Sequence, residues 1–304
     1  LKISAGARFD HYQIDDQSKN HSDITGNVVS PRLTLKYDIK EALQARVSFS
    51  QGYRAPQIYD EDLHIETSGA RKVIHRNTPD LKQETSNSFM ASLDYNGQLG
   101  NTYVGLLVEG FYTHLKDAFV NEFGAPDENG TVIYTRINAE NGAVVKGINI
   151  EMNLVPAEAV SFTGGFTLQS SDYMETHEFG ENAFFRTPND YGYFSVDWQM
   201  GEKFGISSTG NYTGSMYVPY FGNQLVNPEL GKLRESDRFF DLGMKLKYDF
   251  QVNDSKFQVF GGVENIFNSY QNDFDYGIDR DPGYIYGPIN PRTIYFGVKL
   301  GNML

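Results

Sequence analysis

The sequence predicts an all-β fold, namely a transmembrane, antiparallel, up-and-down β-barrel. Three observations carry this prediction: apolar and polar residues alternate with a period of two, short and long connections alternate, and aromatic residues make up 14% of the chain. In residues 29–38, for example, every odd position is apolar and nearly every even position is polar or charged. Because successive side chains of a strand point to opposite faces, each such segment has one apolar and one polar surface.

Roughly twelve strands follow from this alternation, at the spacing expected of a barrel. The sixth is unusually long, and its residues 138–142 are predicted to form a bulge or a small hairpin. Strands of this kind need a different environment on each face, and the alternation alone does not say which face is wet. The predicted strands lie near residues 2–12, 28–38, 43–51, 86–96, 103–114, 132–155, 160–170, 191–200, 204–213, 238–249, 256–264 and 292–300.

The connections distinguish the two ends of the predicted sheet. Short turns and long loops alternate along the chain, so the short turns share one end and the long loops share the other. This is typical of bacterial outer-membrane barrels, and it favours a membrane location. A β-propeller would repeat a signature in each blade, and a soluble sandwich would not place all its long loops at one end. The long loops span residues 13–27, 52–85, 115–131, 171–190, 214–237 and 265–291.

Composition excludes several classes of function. The 304 residues carry a formal net charge of −13 and no run of Lys and Arg, which disfavours nucleic-acid binding. The chain has no cysteine, which excludes disulfides and thiolate metal sites. No stretch of about 18 apolar residues marks a membrane helix. Because Leu1 already lies inside a strand pattern, we expect that this sequence lacks an N-terminal part of the protein.

Five sequence motifs occur in a fixed order along the chain. Residues 48–56 (SFSQGYRAP) close the third predicted strand, and residues 77–88 (NTPDLKQETSNS) enter the next one. They are followed by residues 146–151 (KGINIE), 262–270 (GVENIFNSY) and 288–300 (PINPRTIYFGVKL). Each motif alone is weak, but the ordered set resembles the barrel of TonB-dependent outer-membrane receptors.

The residues that carry this resemblance are predicted to hold the barrel rim rather than to touch a ligand. A proline cannot donate to a strand ladder, so it ends pairing. An asparagine at a strand-to-loop corner bonds its own backbone. The residues are Tyr53, Arg54, Ala55, Pro56, Pro79, Asp80, Leu81, Gly147, Asn265, Phe267 and Arg292.

The resemblance implies a barrel of about 22 strands, filled by an N-terminal plug that carries the segment engaged by TonB. Residues 1–304 would then be the last twelve strands, and the plug and the earlier strands would be missing. The resemblance also implies a location in the bacterial outer membrane. The implied partners are the TonB complex, the membrane lipid and a metal-chelate ligand, with a surface lipoprotein as an open option.

The function implied by the resemblance is active import of a scarce, large nutrient. A metal chelate is the favoured cargo, whether a ferric siderophore, haem or cobalamin. The sequence has neither Gly-x-Ser-x-Gly nor His-Glu-x-x-His, so no enzyme is predicted. Two other classes stay open at this stage: a passive porin or adhesive barrel without a plug, and a soluble β-rich carbohydrate-binding or hydrolytic protein.

The candidate ligand-binding residues lie in the predicted long loops. His64 and His75 share one loop between two motifs, where the resemblance implies an iron ligand in haem-uptake members, and imidazole is able to ligate haem iron. Aromatic rings and arginines would suit a large planar or anionic chelate. For every candidate, the alternative is a role in its own loop. The others are Tyr217, Tyr220, Phe221, Tyr276, Arg280, Tyr284 and Tyr286.

No resident cofactor and no dedicated metal site are predicted. Residues 273–277 (DFDYG) partly match a calcium loop, but the glycine lies one place early and no glutamate stands at the twelfth position. An EF-hand is therefore rejected. A looser Ca²⁺ site in this acidic loop stays a minor alternative.

Overall fold

The computed structural model describes residues 1–15, 24–56, 72–129, 131–253 and 255–301. In this part of the chain, the regular structure consists of seventeen strands and a short 3-10 turn at Glu178–Gly180. The strands, in chain order, are β1 (Lys2–Ile14), β2 (Ile24–Lys40), β3 (Leu43–Arg54), β4 (Lys72–Asn77), β5 (Glu84–Leu99), β6 (Thr102–Lys116), β7 (Phe119–Phe123), β8 (Thr131–Asn138), β9 (Ala143–Ala157), β10 (Val160–Tyr173), β11 (Asp190–Met200), β12 (Phe204–Thr213), β13 (Tyr217–Tyr220), β14 (Lys232–Glu235), β15 (Phe239–Val252), β16 (Ser255–Glu264) and β17 (Thr293–Leu300).

Twelve of these strands form one antiparallel sheet that runs up and down in chain order. The order across it is β1-β2-β3-β5-β6-β9-β10-β11-β12-β15-β16-β17, which confirms the predicted fold. Short turns join β2 to β3, β5 to β6, β9 to β10, β11 to β12 and β15 to β16, and the other connections are long. We call the end with the short turns the inner end and the opposite end the outer end.

The register of the sheet gathers apolar side chains on one side, which we call the apolar face. Leu33 pairs with Phe49, Phe49 with Phe89, and Phe89 with Tyr112, so an apolar row crosses four neighbouring strands. Arg32, which points the other way, belongs to the polar face. A slip of one residue would send every apolar side chain to the polar face, so the alternation itself specifies this register.

The sixth predicted strand, residues 132–155, is wrong as a single strand. The structure divides it, because β8 belongs to a separate sheet and only β9 enters the twelve-stranded sheet. The irregularity predicted at residues 138–142 does fall where the strand breaks, but it is neither a bulge nor a hairpin, because β8 and β9 do not pair with each other. Between them the chain turns at Gly142, whose φ of 74° lies in the left-handed region that favours glycine. The Asn138 side chain secures the turn by donating to the carbonyl of Asp117 at 2.7 Å. The alternation continues through both strands, so it could not reveal that their pairing partners differ.

Two small sheets at the outer end were not predicted, and they build the candidate site. The strands β4, β8 and β7 form one sheet in that order, with β4 and β8 parallel, and β13 pairs with β14 in the other. Within the described residues there is no helix long and apolar enough to cross a membrane. Each small sheet adjoins its own buried cluster, formed by Ala118, Val120, Ala139 and Ala143 in one case and by Met216, Val218, Tyr220 and Tyr284 in the other.

Candidate functional site

A cavity of about 330 Å³ lies at the outer end of the sheet, and we call it the outer cavity. The strands β7 and β8 form one wall, and residues 173–187 form the other. A corner comes from β13. The lining residues are Arg54, Phe119, Val120, Asn121, Arg136, Tyr173, His177, Glu178, Glu181, Ala183, Phe184, Phe185, Arg186, Thr187 and Pro219.

Two arginines of the outer cavity contact the same aromatic ring. The guanidinium carbon of Arg54 lies 4.7 Å from the centroid of the Phe119 ring, and that of Arg136 lies 5.9 Å from it. Glu84 secures this group, because its Oε2 accepts the Phe119 amide at 3.0 Å and pairs with Arg54 at 3.3 Å. The negative face of an aromatic ring attracts a guanidinium. The cavity wall therefore places positive charge beside an aromatic surface.

The opposite wall is built around the Tyr173 ring. It packs against Phe184 at 4.6 Å between ring centroids and edge-on against His177 at 4.9 Å. Its hydroxyl donates to the carbonyl of Phe119 at 2.9 Å, which ties this wall to the first one. The separation of the two walls is therefore set by a direct hydrogen bond and by packed rings.

Glu175 fastens the loop that carries this wall to the turn at residues 139–142. Its Oε1 accepts the amide of Glu140 at 2.6 Å and that of Asn141 at 3.3 Å, and it lies 3.5 Å from Nε2 of His177. Burial acts to raise the pKa of Glu175, but hydrogen bonds from Asn141 and Glu140 outweigh it and hold the pKa below its ordinary value. We call this set of contacts the Glu175 latch.

Arg186 brings a third guanidinium to the outer cavity, from a point where three loops meet. Its backbone φ of 56° lies in the left-handed region, which is uncommon for a residue other than glycine. Its amide donates to the carbonyl of Tyr217 at 2.8 Å, and its Nη1 donates to the carbonyl of Ile285 at 3.4 Å. The cavity thus depends on contacts between loops that are distant in sequence.

The lining of the outer cavity suits an anionic ligand with aromatic groups. Guanidinium groups donate paired hydrogen bonds to oxygen anions and stack on flat rings. The phenylalanine and tyrosine rings add apolar surface for stacking. Glu178 and Glu181 also line the cavity, so its charge is mixed rather than uniformly positive.

A second aromatic cluster at the outer end, which we call the tyrosine junction, is closed instead of open. Tyr220 and Tyr284 are 1% and 3% exposed, and the Arg234 guanidinium lies 3.6 Å and 5.2 Å from their ring centroids. The hydroxyls of Tyr284 and Tyr286 donate to the two carboxylate oxygens of Asp273, at 2.9 Å and 2.8 Å. Burial, followed by these hydrogen bonds, raises the pKa of Tyr286.

The predicted ligand-binding residues therefore fall into different environments. Tyr220, Tyr284 and Tyr286 belong to the tyrosine junction, where the first two rings have almost no exposed surface. Tyr217 lies at the start of β13 and is partly exposed, and the Phe221 amide donates to Asp281 at 2.8 Å. None of these five lines the outer cavity.

The other predicted ligand-binding residues are more exposed. Tyr276 is 77% exposed, and Arg280 donates to the carbonyl of Gly277 within its own loop at 3.1 Å. His75 lies in β4, with its ring stacked 5.4 Å from that of Tyr134. His64 lies outside the described residues.

The motif residues of the first pair surround the entrance to β5. The Tyr53 ring stacks on Tyr12, Pro56 is fully buried, and Ala55 lies between Pro56 and the cavity-lining Arg54. Leu81 is buried as well, while Pro79 and Asp80 are exposed in a turn that begins at Thr78. A hydrogen bond from the Thr78 hydroxyl holds the pKa of Asp80 below its ordinary value.

The motif residues near the C-terminal end make local structural contacts. Asn265, 2% exposed with a φ of 50°, donates to the carbonyls of Ser269 and Asn290. Phe267 stacks on Phe240, and the amide of Arg292 donates to Asn268 at 2.9 Å. At Gly147 a Cβ would lie 2.2 Å from the carbonyl oxygen of Leu168, so the strands approach there too closely for a side chain.

The acidic loop uses its carboxylates on its own backbone and side chains. Asp273 accepts the two tyrosine hydroxyls, Asp275 accepts the amide of Asp281 at 2.8 Å, and Asp281 accepts the amide of Gly283 at 2.9 Å. In the described part of the chain, no three His, Asp or Glu residues are grouped so that they could hold a metal ion.

Sequence reasoning missed most of the outer cavity. It placed Arg54 at the barrel rim, but it did not single out Phe119, Arg136, Tyr173 or Arg186. The arginines are far apart in sequence, and their meeting depends on the pairing of β7 with β8. An isolated arginine in a predicted strand, between Thr135 and Ile137, was the only local signal.

Comparison with known proteins gives consistent matches. Residues 1–266 match the family model described as TonB dependent receptor-like, beta-barrel. The ferrienterobactin receptor of Escherichia coli K12 is 24% identical over 281 residues, which cover 88% of this chain and 34% of that protein.

Solved structures match over nearly the whole chain. The ferric-catecholate import receptor Fiu of E. coli K12 matches with a TM-score of 0.65 and 18% identity, over 97% of this chain and 42% of that one. The FrpB iron transporter of Neisseria meningitidis matches with a TM-score of 0.66 and 15% identity, also over 97% and 42%. At these identities the structures establish the fold alone, and the chain spans about a third of the curated relative.

Proposed function

Because the chain belongs to the TonB-dependent receptor β-barrel family of the bacterial outer membrane, we propose that its protein imports a ferric siderophore. The proposed import is driven by the TonB complex through a plug domain outside this sequence. This chain supplies the later strands of the barrel wall and part of the outer loops. The apolar face then meets lipid and the polar face meets the lumen.

The outer cavity is the observation that carries the proposal. It lies at the end of the barrel with the long loops, which face outward in outer-membrane barrels, so a ligand would reach it from outside. Arg54 and Arg136 lie against the Phe119 ring and Arg186 also lines the cavity, an arrangement that suits a ferric chelate with anionic, aromatic iron-binding groups. We therefore propose catecholate siderophores as the substrate class, and the similarity to a ferrienterobactin receptor supports this choice.

Growth on defined iron sources tests the substrate class. The complete receptor is expressed in an iron-starved strain lacking its own iron receptors, and iron is supplied as a ferric catecholate, a ferric hydroxamate or haem. We expect growth on the catecholate only, and loss of that growth when TonB is deleted. Growth on haem that depends on His64 and His75, with none on the catecholate, would overturn the proposed substrate class.

Arginine substitutions test the site. Each lost charge-assisted hydrogen bond costs about 1.5–3 kcal/mol, so Arg136→Gln with Arg186→Gln should weaken binding of the ferric catecholate at least about tenfold. Fluorescence quenching of the purified receptor measures this affinity. Arg280→Gln, in the loop at residues 265–291 and outside the outer cavity, is the matched control. If Arg280→Gln weakens binding and the double variant does not, the outer cavity is not the site.

A further inference from the structure

One wall of the outer cavity is a hairpin at residues 173–182, which we call the cavity hairpin. At its base, the amide of Tyr173 donates to the carbonyl of Asn182 at 2.7 Å. Nearer the tip, the amide of His177 donates to the carbonyl of Glu181 at 2.9 Å. Because the backbone at Glu181 and beside it is hydrogen-bonded, the Glu181 side chain enters the cavity lining from a fixed position.

Ring contacts hold the tip of the cavity hairpin against neighbouring segments. Phe179 has a φ of 58°, in the left-handed region that is uncommon for a residue other than glycine. Its ring centroid lies 5.8 Å from that of Phe185 and 6.0 Å from that of Phe221. A wall that is already ordered loses little conformational freedom when a ligand binds, so its polar groups are well placed to recognise one.

The charged side chains of the outer cavity differ in whether they already have partners. Arg54 pairs with Glu84 at 3.3 Å, and Arg136 lies against the Phe119 ring. The carboxylate of Glu181 is half-buried in the cavity lining, and in the part of the chain that the structure describes it makes no ion pair and no hydrogen bond. Glu181 is therefore an open negative charge in a cavity that the arginines make attractive to anions.

A second polar group of the cavity hairpin also lacks a hydrogen bond. The side chain of His177 lines the cavity and is 10% exposed, and its Nε2 has no hydrogen-bond partner among the described residues. The Glu175 carboxylate lies 3.5 Å from this nitrogen, but it already accepts the amides of Glu140 and Asn141. Buried polar groups nearly always have a partner. A polar ligand in the cavity would supply what this wall lacks.

We propose that Glu181 binds a cationic group of the substrate, either an ammonium or a guanidinium, and that the substrate is therefore a ferric catecholate with a cationic arm. This inference rests on the proposed function and narrows its substrate class. A ferric catecholate complex is anionic, so a carboxylate without a partner repels it. A positive charge on the ligand replaces that repulsion with a charge-assisted hydrogen bond.

The charges of the outer cavity then contact different parts of the ligand. The arginines contact the anionic iron-binding groups, as in the proposed function, and Glu181 contacts the arm. An unpaired charge in a binding site also discriminates against ligands that cannot pair with it. We therefore expect Glu181 to decide which catecholates the receptor accepts, without deciding its preference for catecholates as a class.

Two synthetic chelates test this inference: a tris-catecholate that carries free lysine side chains, and the same molecule with its lysine amines acetylated. Acetylation removes the positive charge and leaves the iron-binding groups unchanged. Fluorescence quenching of the intact receptor measures the affinity for each ferric complex. We expect the native receptor to bind the lysine form about tenfold more tightly, since one charge-assisted hydrogen bond distinguishes the two forms.

A charge-removing variant identifies the residue responsible. Glu181→Gln keeps the size of the side chain, and it should weaken binding of the lysine form about tenfold without weakening that of the acetylated form. Glu229→Gln is the matched control, because Glu229 is also half-buried at the outer end but does not line the outer cavity. It should leave both affinities unchanged. Heat-modifiable gel mobility shows that each variant is folded.

The outcomes separate this inference from the proposed function. Unchanged affinity of Glu181→Gln for the lysine form would overturn the inference, and so would an equal loss of affinity for both forms, which indicates a structural role. If added Ca²⁺ strengthens binding of the acetylated form in the native receptor but not in Glu181→Gln, the carboxylate holds a dissolved cation instead of an arm. Failure of the native receptor to bind either form would overturn the proposed function itself.

Discussion

The outer cavity and the tyrosine junction are built from the same kinds of residue and use them in opposite ways. Both combine arginine with aromatic rings at the outer end of the sheet. In the tyrosine junction, the Arg234 guanidinium lies against the rings of Tyr220 and Tyr284, and the hydroxyls of Tyr284 and Tyr286 end on Asp273. In the outer cavity, Arg54 and Arg136 lie against Phe119 at the edge of open space.

Burial, and not composition, separates a binding surface from a structural core. The junction encloses its rings between β13, β14 and the loop at residues 265–291, where Asp273 accepts the hydroxyls of Tyr284 and Tyr286. The cavity walls are instead joined only at their edges, by the hydrogen bond from the Tyr173 hydroxyl to the Phe119 carbonyl and by the Glu175 latch, and the space between them stays open. Substitutions in the junction should therefore affect local stability, and substitutions in the cavity should affect affinity.

The largest effect is expected from Tyr284→Ala. This change removes a ring that is 3% exposed, together with its hydrogen bond to Asp273. Loss of a buried aromatic side chain costs about 3–5 kcal/mol, so the loop at residues 265–291 should open locally. Limited proteolysis of the intact receptor in detergent measures this opening.

Tyr276→Ala is the control for Tyr284→Ala. Tyr276→Ala lies in the same loop, but its side chain is 77% exposed, and surface substitutions usually stay within about 0.5 kcal/mol. It should cleave at the parental rate. A Tyr284→Ala protein that resists protease normally and has lost siderophore binding would show that the junction is the binding site after all.

A smaller effect is expected from Glu175→Gln, which keeps the shape of the latch but removes its charge. A charge-assisted hydrogen bond is stronger than a neutral one, so the loss should be about 1–2 kcal/mol. Hydrogen exchange at the amides of Glu140 and Asn141 should accelerate accordingly. Glu140→Gln, which changes an exposed carboxylate beside the same amides, is the control and should leave exchange unaltered.

The Glu175 latch also makes the local stability of the turn at residues 139–142 depend on pH, and this stability should fall as the pH falls. Because the pKa of Glu175 is lowered in the folded protein, its contribution is complete above the ordinary glutamate range. The contribution is lost as the pH falls through the lowered value, so the native protein should then exchange like Glu175→Gln. If acidification lowers the protection of these amides equally in the native protein and in Glu175→Gln, the latch does not act through this carboxylate.

The twelve-stranded sheet could be predicted because each strand carries its own signal. The alternation of apolar and polar residues and the short turns at the inner end are local properties, so they can be recognised in the sequence without knowledge of the tertiary structure. The failure at residues 132–155 has the same origin. Both β8 and β9 alternate, but β8 pairs with β4 and β7, and no local pattern reports the identity of a partner strand.

The outer cavity could not be predicted because its parts come from separate loops. Arg54 was noticed as part of a motif, whereas Arg136 and Arg186 have unremarkable sequence neighbours. Tyr284 and Tyr286 were predicted to bind ligand because aromatic rings in long loops would suit a large planar chelate. Their burial depends on the hairpin of β13 and β14, which the sequence did not predict. The prediction that these tyrosines contact ligand stays untested.

The smallest effect at neutral pH is expected from Tyr286→Phe, which removes a single hydrogen bond to Asp273 and should cost about 1 kcal/mol. The same hydrogen bond also makes the stability of this loop fall at alkaline pH. Burial and the neighbouring carboxylate raise the pKa of Tyr286, so the folded protein holds the hydroxyl in its neutral form. Its contribution is therefore complete below the ordinary tyrosine value of about 10 and is lost as the pH rises beyond it.

This alkaline transition distinguishes the closed junction from the open cavity. Cleavage of the loop at residues 265–291 by an alkali-tolerant protease should rise with pH in the native receptor, and less steeply in Tyr286→Phe, which has one titrating group fewer. Tyr276→Phe, altered at an exposed ring in the same loop, should follow the native curve. The outer cavity contains a tyrosine hydroxyl bond of its own, from Tyr173 to the Phe119 carbonyl, so cleavage at residues 174–187 should follow the same curve in Tyr286→Phe as in the native receptor. A smaller rise at residues 174–187 in Tyr286→Phe than in the native receptor would mean that the two regions open together as one cooperative unit.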